Sequence, residues 1–501
     1  MFELFIGSLA HLFQPYILVL MLTGVVVGLI FGALPGLSAT MAIAIMLPVT
    51  FAMEPDAGIA MLVATYIGGV SGGLVSATLL RIPGTPSSIA TTFDGYPLAR
   101  KGEAIKALAT GMVASAVGGI LGLAVLVAFA PVIARFAIQF GAQEYTSLTI
   151  AALVLVVVLS EADVVKGLLV ALLGLSFATI GFAPIGSAQR FSFGSLDLLA
   201  GIGIIPFMVG LFAIAQVIRE ISEPGTRVKS KLDLRGTGIT VREFFGNAIN
   251  MVRSSAIGIA IGVLPGIGGS ASNLVAYGAA RSASRQPESF GKGNVEGIYA
   301  AESANNASVG GALLPLLTLG IPGDGVTAIL IGGFTIHGLQ PGPLLFRNEP
   351  DLISMIYAAF LLATIAVLIV QLMTIKLFPR ILLIPRHYLI PTLALLMVVG
   401  VYVGEYRIFD VWLMLGFGIL GYLLERYGFP LAPMVLGFVL GTIFETNFRR
   451  ALMFENGDWF TFVTRPISAS LLAGALLLLS FSVWKIIKSR RRSRAATRSS
   501  R

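Results

Sequence analysis

The sequence predicts an all-α polytopic membrane protein of two inverted-topology repeats, each with a re-entrant hairpin and a broken transmembrane helix, plus scaffold helices. The first supporting observation is composition: of the 501 residues, 56% are hydrophobic and 12% are charged, and the mean hydropathy is +0.90. The second is the length of apolar runs such as 111–130 and 352–373, which suffices to span a bilayer. The third is a pair of glycine- and proline-rich motifs that occurs twice in the same order.

The repeated motifs divide the chain. GLIFGALPG at 28–36 matches GIAIGVLPG at 258–266, an interval of 230 residues. SGGLVSATLLRIPGTPSS at 71–88 matches GGALLPLLTLGIPGDGVT at 310–327, and 239 residues separate Ile82 from Ile321. The predicted units are repeat one at 1–218, a cytoplasmic linker at 219–252, repeat two at 253–486 and a basic cytoplasmic tail at 487–501.

Loop charges give each repeat an orientation, because cytoplasmic loops are enriched in Lys and Arg. The stretch 219–243 carries six basic residues and is expected to be cytoplasmic. In repeat one, 51–58 is acidic and 99–106 is basic, whereas in repeat two the corresponding 281–294 is basic and 341–351 is acidic. Corresponding loops are therefore expected on opposite sides of the membrane, which makes the repeats inverted.

The terminal segments fit this topology. The stretch 485–501 holds eight positive charges, and after a final span we expect it to contact anionic membrane lipid and not nucleic acid. The apolar N-terminus has neither a basic leading region nor an evident cleavage site, so we expect no removed signal peptide. By symmetry, the N-terminus is expected on the periplasmic side.

Each repeat is expected to contain three kinds of element. Some 28 residues between Arg253 and Arg281 are too few for two crossings of about 20 residues each, so we predict a hairpin at about 253–281, and by symmetry another at about 16–51. Broken helices are predicted at about 57–98 and 299–340. The remaining spans are predicted at 107–131, 146–160, 164–184 and 197–218 in repeat one, and at 353–378, 387–403, 408–424, 430–446 and 464–485 in repeat two.

Breaks at membrane depth are tolerated where they line a polar cavity. A half-helix start offers N–H groups to an anion, and a half-helix end offers carbonyls to a cation such as sodium. The small-residue segments 66–73 and 308–312 are instead expected to be packing surfaces. The candidate substrate-binding residues beside the breaks are Pro35, Gly36, Ser38, Thr40, Gly84, Thr85, Ser87, Ser88, Gly266, Ser270, Ser272, Asn273, Gly323 and Thr327.

Two charges near the breaks have two interpretations each. Asp324 is expected either to bind sodium, with Ser38 and Asn273 as further candidate ligands, or to cap the following helix. Arg81 is expected either to bind a substrate carboxylate or to extend from a helix end to water.

Other polar residues complete the inventory. Glu302, Asn305 and Asn306 are expected to form a polar lining near the cytoplasmic mouth. The chain has no cysteine, its three histidines are scattered, and it has neither a Walker A motif nor His-Glu-x-x-His. An intramembrane enzyme would need a nucleophile or metal constellation, and Asp324 has no paired acid or histidine, so we expect no enzyme and no cofactor apart from a coupling ion.

The motifs resemble a known family. FGALPGLSATMAIAIMLPVTF, IPGTPSSIATTFDGYPLARKGEA, GVLPGIGGSASNLVAYGAARSAS and LTLGIPGDGVTAILIGGFTIHGLQPGPLLF look like the large membrane subunit of tripartite tricarboxylate transporters, the TctA type. The resemblance covers about 5–485. It implies a bacterial inner-membrane carrier that works with a small membrane subunit and a periplasmic solute-binding protein. It also implies coupling to an ion gradient, with sodium as the expected ion, and not to ATP.

The resemblance also implies site positions. They are Pro35, Gly36, Ser38 and Thr40, then Pro83 to Ser88, Pro265 to Asn273 and Pro322 to Thr327. The family commonly has Asn where this chain has Arg81, so the resemblance implies a di- or tricarboxylate and not citrate in particular. We expect an elevator-type mechanism, while a rocking mechanism would use the same residues. The alternative function is a stand-alone ion-coupled carboxylate carrier that needs no binding protein.

Overall fold

The computed structural model of the chain describes residues 2–159, 164–222, 237–266, 268–382 and 386–499. Residues 223–236 of the predicted linker, Ile267 of hairpin two and the last two residues of the predicted tail lie outside the described residues. The described part is helical apart from loops and one short two-stranded pairing.

The predicted repeat one is a series of helices with two kinds of interruption. A 3-10 turn lies at Pro86–Ser88, and π-helical turns lie at Ala99–Glu103 and Val209–Ile214. The helices are α1 (Phe2–Leu12), α2 (Pro15–Ala33), α3 (Ala39–Thr50), α4 (Pro55–Leu80), α5 (Thr91–Leu98), α6 (Ala104–Ala137), α7 (Ala142–Leu159), α8 (Val164–Ala178), α9 (Ile204–Met208) and α10 (Ala215–Ser222). Strands β1 (Gly181–Phe182) and β2 (Gln189–Arg190) pair antiparallel between α8 and α9, with Gly181 opposite Arg190.

The predicted repeat two is also a series of helices, and it follows α11 (Val241–Gly246) of the linker region. Its 3-10 turn lies at Pro287–Ser289. Its helices are α12 (Ala248–Gly262), α13 (Gly268–Ala283), α14 (Val295–Leu319), α15 (Gly325–Ile336), α16 (Pro343–Asn348), α17 (Pro350–Thr374), α18 (Phe378–Ile381), α19 (Arg386–Glu405), α20 (Ile408–Arg426), α21 (Leu431–Phe454), α22 (Thr461–Thr464) and α23 (Pro466–Ser499).

Eight helical segments of the described part are long and apolar enough to cross a membrane. They are Pro15–Ala33, Pro55–Leu80, Thr91–Ala137, Ile204–Ser222, Pro350–Thr374, His387–Gly404, Ile408–Arg426 and Leu431–Phe454. Segments in α7, α8 and α23 are apolar but shorter. The predicted class, an all-α polytopic membrane protein, is confirmed at this level.

Helix α5 continues through the π-helical turn at Ala99–Glu103 into α6, beyond the predicted end of the broken helix at about residue 98. Gly102 bends the chain there with a φ of 88°. A left-handed backbone of this kind is accessible to glycine at little cost, so the sequence Lys101-Gly102-Glu103 marks a kink and not a chain reversal.

The chain forms two compact units. Unit 1 comprises Met1–Ile138 and Gly203–Leu423, and unit 2 comprises Gln139–Ile202 and Leu424–Arg501. In unit 1 the helices α4 and α14 are buried along almost their whole length. Helices α2 and α17 pack on α4, while α12 and α6 pack on α14. Each predicted hairpin therefore lies beside the broken helix of its own repeat.

Small residues allow this close packing, as the sequence predicts. A Cβ added to Gly68 would lie 2.6 Å from the Val25 carbonyl oxygen of α2, and one added to Gly311 would lie 2.6 Å from the Ile259 carbonyl oxygen of α12. Such distances leave room for hydrogen only. The glycines of 66–73 and 308–312 have the predicted packing role, because they bring helix backbones into contact.

In unit 2, α21 packs against α7 and α8, and α23 packs against α7. Its polar contacts join distant parts of the sequence: Glu445 accepts from Arg190 at 2.5 Å and from Arg449 at 2.7 Å. Ser147 and Ser468 hydrogen-bond at 2.6 Å between α7 and α23. Unit 2 contains none of the four predicted breaks.

Candidate functional site

The four predicted breaks interrupt helices in the structure. The two hairpins break between α2 and α3 and between α12 and α13. The two long helices each end two residues before an Ile-Pro-Gly motif, α4 at Leu80 and α14 at Leu319. New helical turns begin at Pro86 and Gly325. Proline and glycine stop regular hydrogen bonding at all four positions.

The two long helices end in the same way. Arg81 caps the C-terminus of α4 with a left-handed φ of 58°, and Gly320 caps α14 with a φ of 72°. The interval between these residues equals that between the Ile-Pro-Gly motifs. The left-handed C-cap is ordinarily a glycine position. Gly320 adopts this conformation at little cost, whereas the Cβ of Arg81 makes it strained.

The chain restarts after each Ile-Pro-Gly with the same capping arrangement. Thr85 and Ser88 form a reciprocal capping box at the 3-10 turn. Asp324 and Thr327 form one at α15, in which the Thr327 N–H donates to Asp324 Oδ1 at 2.8 Å and the Asp324 N–H donates to Thr327 Oγ1 at 2.8 Å. These polar pairs therefore hold the restarted backbone in place.

Glycine in each Ile-Pro-Gly allows contact with the neighbouring hairpin. A Cβ on Gly84 would lie 2.1 Å from the Gly32 carbonyl oxygen, and a Cβ on Gly323 would lie 2.8 Å from the Gly262 carbonyl oxygen. The Gly266 N–H also donates to the Gly323 carbonyl at 2.8 Å. In each repeat, the break of the long helix therefore lies directly against the end of the first hairpin helix.

All four breaks open onto one cavity of about 200 Å³ in unit 1. Its polar lining groups are hydroxyls, an amide, a carboxylate and a phenol, and apolar residues such as Val70 and Val326 line the rest. The lining residues are Ser38, Ala39, Thr40, Tyr66, Val70, Thr85, Pro86, Ser87, Gly266, Gly268, Gly269, Ser270, Asn305, Ser308, Asp324, Gly325 and Val326. Among these described residues there is no Lys, Arg or His.

Three helices of 12 residues or more begin at this cavity. They are α3, α13 and α15, and the first residues of each belong to the lining. The first N–H groups of a helix have no partner within the helix, and the helix dipole places partial positive charge there. A cavity surrounded by three such ends attracts an anion without a basic side chain.

Asp324 lies at the same cavity and has partners on both carboxylate oxygens. Tyr66 of α4 donates to Oδ2 at 2.5 Å, and Thr327 donates to Oδ1. Tyr66 is 1% exposed, so this bond joins the two repeats through a buried phenol. The carboxylate caps α15, which is one of the two roles expected from the sequence, and it also lines the cavity. Sodium binding by Asp324 stays a prediction.

The opposite side of the cavity is neutral. Asn305 is buried, its Nδ2 donates to the Val70 carbonyl at 3.4 Å, and its Oδ1 has no partner among the described atoms. Asn273 of α13 donates to the Ser87 carbonyl, which links hairpin two to the break of repeat one. The Oδ1 of Asn273 is also buried and has no partner in the described part.

The structure gathers some of the predicted residues and places others behind the cavity wall. Ser38, Thr40, Thr85, Ser87, Gly266, Ser270 and Asp324 line the cavity. Ser88 and Thr327 act in the caps, Gly84 and Gly323 pack on the hairpins, and the Ser272 hydroxyl donates to the Gly269 carbonyl. Asn273 contacts the lining residue Ser87 from behind.

Three predicted residues lie farther from the lining. The side chain of Arg81 is exposed, and its guanidinium lies 6.0 Å from the ring centroid of Tyr96. At the tip of hairpin one, the Gly36 carbonyl accepts a hydrogen bond from Gln216 of α10. Pro35 precedes it at the same tip. In this conformation the tip therefore contacts α10 and not the cavity.

Sequence reasoning missed Tyr66 and Ser308 as lining residues, whereas Gly268 and Gly269 fall within the implied range Pro265 to Asn273. Asn305 was predicted as polar lining, and the structure places it at the cavity. One signal would have indicated Tyr66: it precedes Asn305 by the same 239 residues that separate the Ile-Pro-Gly motifs. Residues in matching positions of two repeats are expected to point at equivalent places.

The comparisons with known proteins agree with the motifs. The model of the tripartite tricarboxylate transporter TctA family matches residues 18–436, a range that includes all four breaks. The chain is 36% identical over 477 residues to an uncharacterized 52.8 kDa protein in the TAR-I ttuC' 3' region of Agrobacterium vitis, with 95% of each chain covered. It is 38% identical over 234 residues to an uncharacterized protein in the TAR-II ttuC' 3' region of the same organism, which covers 47% of this chain and 97% of that one. No solved structure matches the chain.

Proposed function

Because this chain belongs to the tripartite tricarboxylate transporter TctA family, we propose that it is the membrane permease subunit of a carrier that imports di- or tricarboxylates. The family is one of transporters, and the eight apolar helical segments make the chain a multi-pass membrane protein. The proposed location is the bacterial inner membrane. The proposed partners are a small membrane subunit and a periplasmic solute-binding protein.

One observation carries the substrate class. The starts of α3, α13 and α15 meet at a single cavity whose polar lining groups include six Ser or Thr hydroxyls and one amide and no Lys, Arg or His. Unpaired N–H groups at helix starts bind carboxylates as they bind phosphates. A cavity of about 200 Å³ is below the roughly 300–1,000 Å³ typical of sites for drug-sized ligands, which favours a small metabolite.

Sodium coupling is proposed because the same cavity holds the carboxylate of Asp324. An anionic side chain weakens an anion site unless a cation is bound with the substrate. The Ser38 hydroxyl and the Asn273 amide oxygen are further candidate sodium ligands, since hard cations prefer oxygen. Binding of sodium and of the carboxylate would then support each other.

We propose alternating access of an elevator type, in which the hairpins and broken helices move together against the remaining spans. The proposal is supported by the matching caps and matching glycine contacts of the two repeats, which pair each hairpin with one broken helix. Inverted repeats that meet at a central site are the usual framework of secondary transporters.

The function is tested by uptake of labelled citrate and a panel of dicarboxylates into proteoliposomes. The vesicles contain this chain, its small-subunit partner and the binding protein. Uptake of each carboxylate is measured with and without an inward sodium gradient. We expect sodium-stimulated uptake of at least one carboxylate. Equal uptake without the binding protein would support the stand-alone carrier instead, and failure to take up any carboxylate would overturn the proposed substrate class.

A matched pair of threonines tests the cavity. Thr40→Val removes a hydroxyl from the lining, while Thr50→Val removes a buried hydroxyl at the other end of α3 that donates only to the Leu47 carbonyl. We expect Thr40→Val to raise the KM for the carboxylate and Thr50→Val to leave it unchanged. Equal effects of the two changes would place the substrate elsewhere.

Two variants of Asp324 separate coupling from capping. Asn caps a helix about as well as Asp but carries no charge, whereas Ala neither caps a helix nor carries a charge. Asp324→Asn is expected to keep the helix cap, with a smaller loss of stability than in the Ala variant, and to lose sodium stimulation. Asp324→Ala is expected to lose both, with a stability loss of about 0.5–2 kcal/mol. Sodium-dependent uptake that survives in the Asn variant would leave Asp324 as a helix cap alone.

A further inference from the structure

A second buried acid lies on the wall of the cavity but outside its lining. Glu302 is on α14, one turn before Asn305, and is 0% exposed. Thr91 Oγ1 of α5 lies 2.5 Å from Glu302 Oε1, and Ser115 Oγ of α6 lies 3.1 Å from Oε2. The Asn305 side chain also hydrogen-bonds with this acid. Glu302 therefore contacts three polar groups, and all three are uncharged.

No basic side chain in the described part of the chain pairs with Glu302. The bases on the helices around it are engaged or remote: Lys106 of α6 binds Glu243, Arg253 of α12 bonds Asn250, and Arg281 of α13 is exposed. Among the other titratable groups, Asp94 pairs with Tyr277 of α13, and Tyr66 of α4 pairs with Asp324. The remaining titratable residues on these helices lie near helix ends, apart from Tyr299. They are Tyr299, Asp56, Tyr96, Arg135, Glu296 and Arg347.

Asp94 provides a direct comparison, because it is also 0% exposed. Its partners include the backbone N–H groups of Gly293 and Asn294, each at 2.8 Å, and the Tyr277 hydroxyl at 2.8 Å. A backbone N–H can only donate, so Asp94 must accept and is satisfied as an anion. Two of the three partners of Glu302 are hydroxyls, which donate or accept, so a neutral acid can donate from Oε1 to Thr91 while it accepts from Ser115 at Oε2. The Asn305 amide N–H can only donate, and the neutral acid and the carboxylate both accept from it.

We propose that Glu302 is a proton-binding site, protonated in this conformation, that responds to occupancy of the cavity through Asn305. Burial without a cation costs far more for a carboxylate than for a neutral acid. When the proton leaves to solvent, the Thr91 hydroxyl turns to donate to Oε1, and Ser115 continues to donate to Oε2. The transport consequence rests on the proposed function, whereas the protonation itself does not.

Asn305 provides the connection to the cavity. Its side chain lines the cavity, its amide N–H donates to Glu302, and its Oδ1 has no partner among the described atoms. A ligand that engages Asn305 alters the hydrogen bonds available to Glu302, so ligand binding and proton binding change each other's affinity by the same factor. Substrate or cation binding is therefore coupled to a proton at this position.

Infrared difference spectroscopy of the purified full chain tests protonation without any substrate or partner. At neutral pH we expect a carboxylic-acid C=O band that shifts in D₂O, is lost in Glu302→Gln and is retained in Asp94→Asn. If Glu302→Gln does not fold, Thr91→Val should instead shift the frequency of that band, because it removes the hydrogen-bond partner. A spectrum in which neither variant changes any carboxylic-acid band would overturn the proposal.

The coupling is tested in the reconstituted system by the pH dependence of the KM for the carboxylate. Glu302→Gln imitates the neutral acid, so we expect the KM to lose most of its dependence on pH while the melting temperature is kept. A purely structural role would lower the melting temperature and leave the pH profile of the residual activity unchanged. A system with no uptake at all contradicts the proposed function, while the infrared result still decides the protonation of Glu302.

Discussion

Tyr66 and Asn305 hold equivalent positions in the two repeats, and both side chains line the same cavity. The interval between them equals that between the two Ile-Pro-Gly motifs. Tyr66 donates to Asp324 on one side, whereas Asn305 leaves its Oδ1 open on the other. The cavity is thus built from repeated backbone and asymmetric side chains, so its two ends can hold different ligands.

The contact between each break and its hairpin predicts the effect of adding one methyl group. Gly84→Ala would place a Cβ 2.1 Å from the Gly32 carbonyl oxygen, a backbone atom that cannot rotate away. We expect a stability loss of about 1–3 kcal/mol, the usual cost of overpacking, measured as a lower melting temperature in detergent. Gly278→Ala is the control, because no atom lies within 4 Å of its added Cβ. Equal melting temperatures for the two variants would contradict the tight contact.

The left-handed backbone at Arg81 predicts the result of replacing it with glycine. The φ of 58° is strained for a residue with a Cβ and free for glycine, as at Gly320. We expect Arg81→Gly to have unchanged or increased stability, by up to about 1 kcal/mol, after allowance for the greater freedom of glycine in the unfolded chain. Uptake is expected to persist, since the guanidinium is exposed and outside the cavity lining. Loss of uptake at an unchanged melting temperature would instead support substrate binding by Arg81.

The breaks could be predicted from sequence because proline and glycine act locally. Pro35, Pro83, Pro265 and Pro322 each mark a point where a helix stops, whatever surrounds it. The capping boxes were equally readable in Thr85-x-x-Ser88 and Asp324-x-x-Thr327. These pairs were predicted as ligands, although in the structure their side chains are largely used by the caps.

The meeting of the starts of α3, α13 and α15 at one cavity could not be predicted from the sequence, because it depends on how the two predicted hairpins pack. Hairpin two approaches the break of repeat one, where Asn273 bonds the Ser87 carbonyl, and hairpin one approaches Gly325, whose added Cβ would lie 3.8 Å from Thr40 Cγ2. No local pattern encodes these crossed contacts. Tyr66 was missed because an aromatic residue in an apolar helix usually indicates packing, and only its partner Asp324 identifies it as polar lining.

The ion pair between Glu243 and Lys106 predicts a pH effect outside the membrane-spanning helices. The hydrogen bond from Lys106 at 2.5 Å, helped by the Thr240 N–H, lowers the pKa of Glu243 from 4.5 to about 2. Because the folded pKa is depressed, the stabilisation is present above pH 4.5 and is lost as the pH falls toward 2. The Glu243 side chain is 31% exposed, so solvent screening keeps the effect small.

Glu243→Gln checks this effect through melting temperatures across that range. We expect the wild-type chain to be slightly more stable than the variant above pH 4.5 and the difference to shrink as the pH falls. The result should be insensitive to carboxylates and sodium, because Glu243 lies outside the cavity lining. A difference that grows on acidification would mean that the pKa of Glu243 is raised and not lowered.

The bond between Tyr66 and Asp324 predicts a contrast between two buried tyrosines. Tyr66→Phe removes a 2.5 Å hydrogen bond to a carboxylate, and bonds to charged groups contribute about 1.5–3 kcal/mol. Tyr357→Phe is the matched control, because the Tyr357 hydroxyl is buried and has no partner among the described atoms. We expect the first change to lower the melting temperature and the second to keep or raise it, since an unpaired hydroxyl costs desolvation energy. If both variants melt alike, Tyr66 contributes packing alone, and the link between the repeats through Asp324 carries no stability.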